Sequence, residues 1–117
     1  MSKVSTPPSD SQKATAQDEA FCPRFTTAVE LIGRRWSGAI LRALQHGIIR
    51  FSELREAIPA LTDKMLSERL REFEETGLVE RVVIADRPVR VEYHLTPKGE
   101  SLNGIIAEIE RWAGEWT

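Results

Sequence analysis

Apolar positions in the first half of this chain recur with the spacing of amphipathic helices. A stripe at i, i+3, i+4 and i+7 predicts a first helix from Pro23 to Ile32, which Gly33 is expected to end. A second helix is predicted from Trp36 to Gln45, with Gly47 as its end. Because this helix is apolar around most of its circumference, including Ala39, we expect it to be largely buried. The first stripe consists of Phe25, Ala28, Val29 and Ile32.

Two further helices, one short and one longer, are predicted close together. Ser52 is expected to cap the short helix and Pro59 to end it, because a residue before proline disfavours the helical conformation. Thr62 is expected to cap the longer helix and Gly77 to end it. Its buried side consists of Leu66, Leu70 and Phe73. Helices joined by so few residues cross sharply, which leaves the outer face of the longer one available.

The pattern then changes from helical spacing to alternation, which predicts a hairpin. Segments 79–85 and 89–95 are the expected strands, joined by a turn at Asp86, Arg87 and Pro88. Residues 48–51 predict a short extended piece that pairs with the edge of the hairpin. A last helix is predicted after Thr96, which caps it, with Pro97 at its first position. The apolar stripe of this helix consists of Leu102, Ile105, Ile106, Ile109, Trp112 and Trp116.

This order of elements predicts a mainly α protein with a small β-hairpin wing (α+β), the outline of a winged helix-turn-helix. At 117 residues the chain has room for one domain, which we assign to residues 21–117. Residues 1–20 are polar and proline-containing without an apolar period, and predict a flexible arm.

The outer face of the helix after Thr62 is the candidate DNA-reading surface. Placing the apolar side inward sends Lys64, Ser67, Glu68 and Arg71 outward, because successive residues rotate by about 100°. The two cations can donate to phosphates or guanine edges, the hydroxyl can pair with either, and the carboxylate can accept from cytosine or repel wrong sequences. The alternative is a solvated amphipathic helix with internal ion pairs, and the position between a short capped helix and a basic hairpin favours the DNA interpretation.

Other candidate DNA contacts flank that helix. Arg87 and Arg90, at the tip of the hairpin, are predicted to approach the DNA backbone or a narrow minor groove, with a merely solvated loop as the alternative. Arg50 and Ser52 are expected to position a phosphate, and Thr62 lies at the start of the reading helix.

The charge of the chain weakens the DNA interpretation only in part. The formal net charge is −2, whereas DNA-binding domains usually carry a basic patch. Residues 34–90, however, carry 11 basic and 9 acidic side chains, and residues 91–117 carry 2 basic and 5 acidic ones. Charge separated in this way predicts weak nonspecific binding that depends strongly on salt.

The last helix carries more apolar surface than a small domain needs, which predicts a homodimer. We expect the last helix to pack with the first in an interface made of Phe21, Phe25, Val29, Ile32, Leu102, Ile105, Ile109, Trp112 and Trp116. The two reading helices would then lie one DNA turn apart, about 34 Å. The alternative is that the tryptophans close the core of a single chain.

The remaining residues with reactive side chains suggest one possible function and argue against several others. Cys22 is the only cysteine and lies at a helix start beside Arg24, a setting that favours a thiolate able to sense oxidants or electrophiles; burial as a small apolar residue is the alternative. His46 and His94 are isolated, and no metal-ligand spacing or phosphate loop appears, so we expect no enzyme, no metal and no cofactor. No apolar run is long enough to span a membrane, and we expect a cytoplasmic protein.

Several motifs in order resemble the HxlR family of bacterial transcriptional regulators, winged-helix proteins related in architecture to the MarR group. The motifs are Cys22-Pro23, Leu31-Ile32-Gly33 with Arg35-Trp36, Ile40-Leu41-Arg42, Arg50-Phe51-Ser52-Glu53-Leu54, Leu66-Ser67-Glu68-Arg69-Leu70, Gly77-Leu78-Val79-Glu80-Arg81, and Val91-Glu92-Tyr93 before Leu95-Thr96. The chain departs from the family pattern at Arg34, where a second glycine is usual.

The resemblance implies a homodimeric regulator that binds double-stranded DNA at a palindromic operator, with repression favoured over activation. It also implies a dimer formed by the first and last helices. Some members sense quinones, aldehydes or oxidants through an N-terminal cysteine, and Cys22 lies where that residue is expected. A winged-helix module that binds other proteins and not DNA remains the alternative, because a fold does not fix a function.

Overall fold

The computed structural model describes residues 22–117; the predicted arm, residues 1–20, and Phe21 lie outside this range. The described residues fall into two units, residues 22–34 and 35–117. The helices and strands of the described part are α1 (Pro23–Gly33), α2 (Ser37–Gln45), α3 (Phe51–Ala57), α4 (Asp63–Glu75), β1 (Val79–Ile84), β2 (Arg90–Leu95), α5 (Pro97–Glu100) and α6 (Asn103–Trp116).

The first unit contributes α1, as the stripe of apolar residues predicts. Cys22 is its N-cap residue, and its carbonyl oxygen accepts from the Thr26 amide at 3.1 Å. Pro23 occupies the first turn, where its missing N–H leaves no bond unmade. Arg34 follows the helix with φ −64° and ψ 147°, an extended conformation that any L-residue adopts. The departure from the family glycine at Arg34 therefore strains no backbone.

The second unit has a core centred on α2 and α4. Ile40 and Leu41 of α2 are fully buried, and α4 buries the three residues predicted from its spacing. Tyr93 of β2 and Ile106 of α6 complete the core from the other elements. The buried apolar residues are Ile40, Leu41, Ala43, Leu44, Leu54, Leu61, Leu66, Leu70, Phe73, Leu78, Val79, Tyr93 and Ile106.

Helices α2 and α4 both end at the glycines that the sequence indicates. Gly77 has φ +77°, its amide donates to Glu74 O, and the Leu78 amide donates to Phe73 O at 2.7 Å. This pair of bonds is a Schellman motif, in which the left-handed residue is nearly always glycine. Gly47 ends α2 in the same way: it has φ +86°, and the equivalent pair of hydrogen bonds is present.

The prediction that Ser52 caps α3 is wrong. The helix begins one residue earlier, at Phe51, and its N-cap is Arg50, whose side chain makes no capping bond. The reason is tertiary: Arg50 forms a β-bridge with Glu92, and Ile49 O accepts from the Tyr93 amide at 2.8 Å. The extended piece predicted before α3 thus pairs with the hairpin edge and sets where the helix starts. The end of α3 before Pro59 is as predicted.

Helix α2 is less completely buried than its composition suggests. Ala39, Arg42 and His46 are exposed, and their spacing of i, i+3 and i+7 forms one solvent stripe along the helix. Alanine is small, and placing it in solvent costs little free energy, so an alanine in the sequence does not identify the buried side of a helix.

The predicted last helix is two helices, α5 and α6, separated by a turn at Ser101 and Leu102. The Ser101 hydroxyl donates to Lys98 O at 2.5 Å, the acceptor that the Leu102 amide would use in a continuous helix. The Leu102 amide instead bonds Gly99 O at 3.1 Å. The Thr96 cap is as predicted, with its hydroxyl accepting from the Gly99 amide at 3.1 Å.

The wing is a two-stranded antiparallel hairpin that runs from the pair Val79 and Leu95 to the pair Ile84 and Arg90. The strands are one residue shorter at the turn than predicted. Within residues 22–117, no helix combines the length and the apolar run that crossing a membrane requires.

Candidate nucleic-acid interface

Helix α4 is held in place by its cap and its buried side, and it carries the residues predicted to read DNA. The Thr62 hydroxyl accepts from the Met65 amide at 3.1 Å, which satisfies one of the helix's unpaired N–H groups. Leu66, Leu70 and Phe73 are at most 1% exposed, so the rotation of the helix about its axis is fixed by packing.

The outer face of α4 is open to solvent. Lys64, Ser67 and Arg71 are exposed, whereas Glu68 is half-buried. Within the part of the chain that the structure describes, neither Lys64 nor Arg71 has an ion-pair partner. These two cations and the serine hydroxyl are therefore available for a ligand on this face. The helical-rotation argument from the sequence holds for all three of them.

Arg55 connects α3 to the start of α4, a role that the sequence did not reveal. Its guanidinium donates to the carbonyl oxygen of Leu61 and to the carboxylate of Asp63. Both partners lie where the turn enters α4, so the pair fixes the crossing of the two helices. The signal in the sequence, a basic residue eight positions before an acidic one, is too common to identify the contact.

The start of α3 and the second strand line one shallow cleft. Its walls include Arg50, Ser52 and Arg90, and the other lining residues are Phe51, Pro88, Val89 and Val91. Ser52 is exposed in the first turn of α3, and Arg50 is half-buried. Three residues predicted to contact the DNA backbone thus lie around one concave surface.

The two arginines predicted at the wing differ in availability. Arg87 is exposed at the hairpin turn. Arg90 is half-buried: its guanidinium lies 3.3 Å from the Asp86 carboxylate and 3.9 Å from that of Glu92, which in turn is 2.9 Å from His94 Nε2. Arg90 is therefore held by carboxylates of its own hairpin, whereas Arg87 has no ion-pair partner among the described residues.

The residues predicted for a dimer interface lie on two helices that we describe separately. On α6, Ile105, Ile109, Trp112 and Trp116 are each about half exposed or more, with Trp116 at 71%, whereas Leu102 is half-buried. This exposure favours the predicted interface over the alternative that the tryptophans close the core of one chain. Beside this stripe on the same helix, Arg111 donates to Glu108 and Glu115, and the Glu108 carboxylate first, then Glu115, raises the pKa of this guanidinium.

On α1, Phe25 and Val29 are 60% and 51% exposed, and Ile32 is half-buried. Cys22, which precedes this helix, is half-buried. Phe21 lies outside the described residues.

A short helix, a tight turn, a capped second helix with a polar outer face and a hairpin after it define a winged helix-turn-helix protein. The chain belongs to the HxlR-like helix-turn-helix family, which residues 31–117 match.

Relatives of known sequence and structure agree with this family. YvaP of Bacillus subtilis (strain 168), an HTH-type transcriptional regulator, is 50% identical over 96 residues, which cover 82% of this chain and 89% of YvaP. YodB of the same organism, also an HTH-type transcriptional regulator, is 43% identical over 82% of this chain and 86% of its own.

Solved structures similar to this chain include two regulators described by their redox state. The reduced form of YodB has a TM-score of 0.73 and 43% identity over 81% of this chain and 93% of that one. The redox regulator HypR in its reduced form has a TM-score of 0.74 and 34% identity over 79% and 91%. The resemblance to the HxlR family, the winged-helix fold and the class of transcriptional regulators are thereby confirmed. An interaction module without DNA binding is not favoured, and the relatives are regulators rather than enzymes.

Proposed function

We propose that this chain is a repressor that binds a palindromic operator as a homodimer, with α4 of each copy in the major groove. The observation that carries the proposal is the outer face of α4, where Lys64, Ser67 and Arg71 are exposed behind a fully buried apolar side. An α-helix is narrow enough to enter the major groove, and α4 carries donors along one face. Such a regulator works where chromosomal DNA lies, in the cytoplasm.

Each predicted contact has a distinct role in this proposal. Lys64 and Arg71 donate to phosphates or guanine edges, Ser67 pairs with either, and Glu68 accepts from a cytosine amino group or repels other bases. Arg50 and Ser52 hold a phosphate at their cleft. Thr62 lies at the start of α4, the reading helix. At the wing, Arg87 makes the first contact with the DNA backbone. Arg90, whose Nη2 pairs with Asp86 and Glu92, contacts the backbone beside it.

The homodimer is supported by exposed apolar residues on two helices. We propose that a second copy covers Ile105, Ile109, Trp112 and Trp116 of α6 together with Phe25 and Val29 of α1. A two-fold arrangement of this kind places two reading helices about one DNA turn apart, and the operator is then palindromic.

A response to oxidants or electrophiles through Cys22 is supported by the relatives. YodB has been solved in diamide-treated and quinone-bound forms, and HypR in an oxidised form. Cys22 is half-buried at the start of α1, where the helix dipole stabilises a thiolate. Burial as an ordinary small side chain is the competing interpretation.

The experiment that tests the proposed function is a binding titration with the DNA upstream of the chain's own gene. Wild-type protein should bind this DNA with an affinity that falls steeply as salt rises. Lys64→Ala and Arg71→Ala should each weaken binding, by roughly 1–3 kcal/mol where the residue pairs with a base. Arg24→Ala, which removes one exposed positive charge on α1, should bind like the wild type. Unchanged affinity in both α4 variants would remove this helix as the reading element.

A further inference from the structure

One arginine of α4 points away from the reading face and is tied to the start of α2. Arg69 is only 12% exposed, and its Nε donates to the carbonyl oxygen of Arg35 at 3.1 Å, across 34 residues of sequence. Its terminal nitrogen Nη1 lies 3.4 Å from Glu72 of the same helix. A guanidinium removed from water to this extent needs such partners, so its direction is fixed by both contacts.

The acceptor of this bond, Arg35 O, belongs to a backbone segment whose conformation must be held by contacts with other residues. Trp36, directly after Arg35, has φ +73°, a left-handed conformation that a bulky L-residue rarely adopts. Conformations of this kind persist only when neighbouring contacts hold them. The Arg35 guanidinium lies over the Trp36 ring at 5.4 Å, and Trp36 O accepts from the Ile40 amide at 3.0 Å. Arg69 is therefore one of the contacts that hold the entry into α2.

The bond joins the reading helix to the most buried helix of the unit. Ser37, which begins α2, and Ile40, one turn further on, are fully buried, so the start of α2 is a fixed reference point within the core. Arg69 lies at the edge of the buried stripe of α4, roughly 60° from Leu66 at 100° per residue. A directional bond at that position opposes rotation and sliding of α4 relative to α2.

We infer that Arg69 is a positioning residue for DNA recognition, which sets the reading face of α4 through its bond to Arg35 O without touching DNA. Base contacts require donors within about 3 Å of their acceptors, so a small rotation of α4 is enough to lose them. The inference deepens the proposed function, on which it rests, because it assumes that α4 reads DNA. The bond itself can be tested without DNA.

The test compares Arg69→Met with Arg69→Lys and with Lys64→Met. Arg69→Met removes every donor and keeps the apolar stem. It should lower operator affinity on the order of tenfold, because α4 without this bond is no longer held at the rotation that its base contacts require. The dependence of affinity on salt should stay as in the wild type, because no phosphate contact is removed. Arg69→Lys keeps the charge and can satisfy one of the two acceptors, so it should recover part of the affinity.

Hydrogen exchange supplies the second measurement, made on the free protein. The Ile40 amide, which bonds Trp36 O, should exchange faster in Arg69→Met, less so in Arg69→Lys, and at the wild-type rate in Lys64→Met. If Arg69→Met does not fold, both measurements are made on Arg69→Lys. Its operator affinity should then be somewhat below that of the wild type, and its Ile40 amide should exchange somewhat faster.

Four results would overturn the inference or separate it from the proposed function. Wild-type exchange at Ile40 in the Arg69 variants would show that the bond does not hold this segment. A salt dependence reduced by about one unit in Arg69→Met would make Arg69 a direct phosphate contact instead. Loss of affinity in Lys64→Met with none in Arg69→Met would refute positioning alone. Unchanged affinity in both Lys64→Met and Arg71→Ala would refute the reading surface and leave the exchange result to decide on Arg69.

Discussion

At the scale of single residues, Gly99 is the glycine at which the structure leaves least room for a side chain. It is buried in α5, and a Cβ at this position would lie 2.1 Å from the carbonyl oxygen of Leu78 and 3.0 Å from a methyl group of Leu95. The obstruction is backbone, which cannot move aside as a flexible side chain would. Gly99 therefore allows α5 to contact the base of the wing.

Gly99→Ala should lower the free energy of unfolding by about 2 kcal/mol or more, because the added methyl group overpacks a buried contact. Gly114→Ala is the matched control in α6, where nothing lies within 4 Å of the added Cβ. It should raise stability by roughly 0.5–1 kcal/mol, because alanine favours helix over glycine. Urea unfolding of both variants measures whether each substitution lowers or raises the free energy of unfolding. Equal effects of the two substitutions would contradict the close contact at Gly99.

The proposed role of Cys22 is also a prediction at the residue scale. Treatment with a quinone or hypochlorite should change the operator affinity of the wild type, because a modified thiol at the start of α1 alters the packing of that helix. Cys22→Ser keeps the size of the side chain without the thiol, and its affinity should not respond. The measurement is the operator affinity of both proteins before and after treatment. Equal responses from the two proteins would exclude Cys22 as the sensor.

The sequence predicted which side chains of α4 face outward but not what each one contacts. Exposure of Lys64, Ser67 and Arg71 follows from helical rotation, which depends only on local sequence. The ion pairs of Arg90 and the bond from Arg69 to Arg35 depend on how distant segments meet, and no local pattern encodes them.

At the scale of helices and strands, ends set by local hydrogen bonds were predicted well. Thr62, Thr96 and Gly77 act where the sequence placed them, since a cap or a left-handed glycine needs only its own helix. The start of α3 was misassigned because a bridge between Arg50 and Glu92 fixes it. The division of the last helix was missed because a serine hydroxyl takes a backbone acceptor, which serines in helices do only in some contexts.

The cap of α4 gives a prediction at this scale. Thr62→Ala should lower the free energy of unfolding by about 1 kcal/mol, because the Met65 amide loses its acceptor. Thr62→Ser keeps the hydroxyl and should stay close to the wild type. Thermal unfolding followed by circular dichroism measures the difference. An alanine variant as stable as the serine variant would mean that water replaces the cap without loss.

At the scale of the whole molecule, exposed apolar surface and charge both bear on assembly. Half-exposed isoleucines and tryptophans along α6, and exposed Phe25 and Val29 on α1, are more than a monomer usually leaves in water. The sequence predicted this surface from the length of its stripe, although the packing of two copies cannot be read from one chain. The net charge of −2 requires that DNA affinity come from local cations.

Ile109→Glu should convert the dimer to a monomer, because it places a charge in an apolar interface. Ala107→Glu adds the same charge on the opposite face of α6 and should remain dimeric. Sedimentation measures the mass of both variants, and operator affinity should fall only in Ile109→Glu, because one copy then binds one half-site. A dimeric Ile109→Glu protein would place the interface elsewhere.

The most direct test of the reading face is the sequence preference of the protein, measured on operator duplexes that carry every single base-pair substitution. In the wild type, a few positions in each half-site should each contribute about 1–3 kcal/mol of discrimination. Lys64→Ala and Arg71→Ala should relax preference at one or two of those positions, symmetrically in both half-sites, and leave the others unchanged. Preferences identical to the wild type in both variants would contradict the claim that this face of α4 reads DNA.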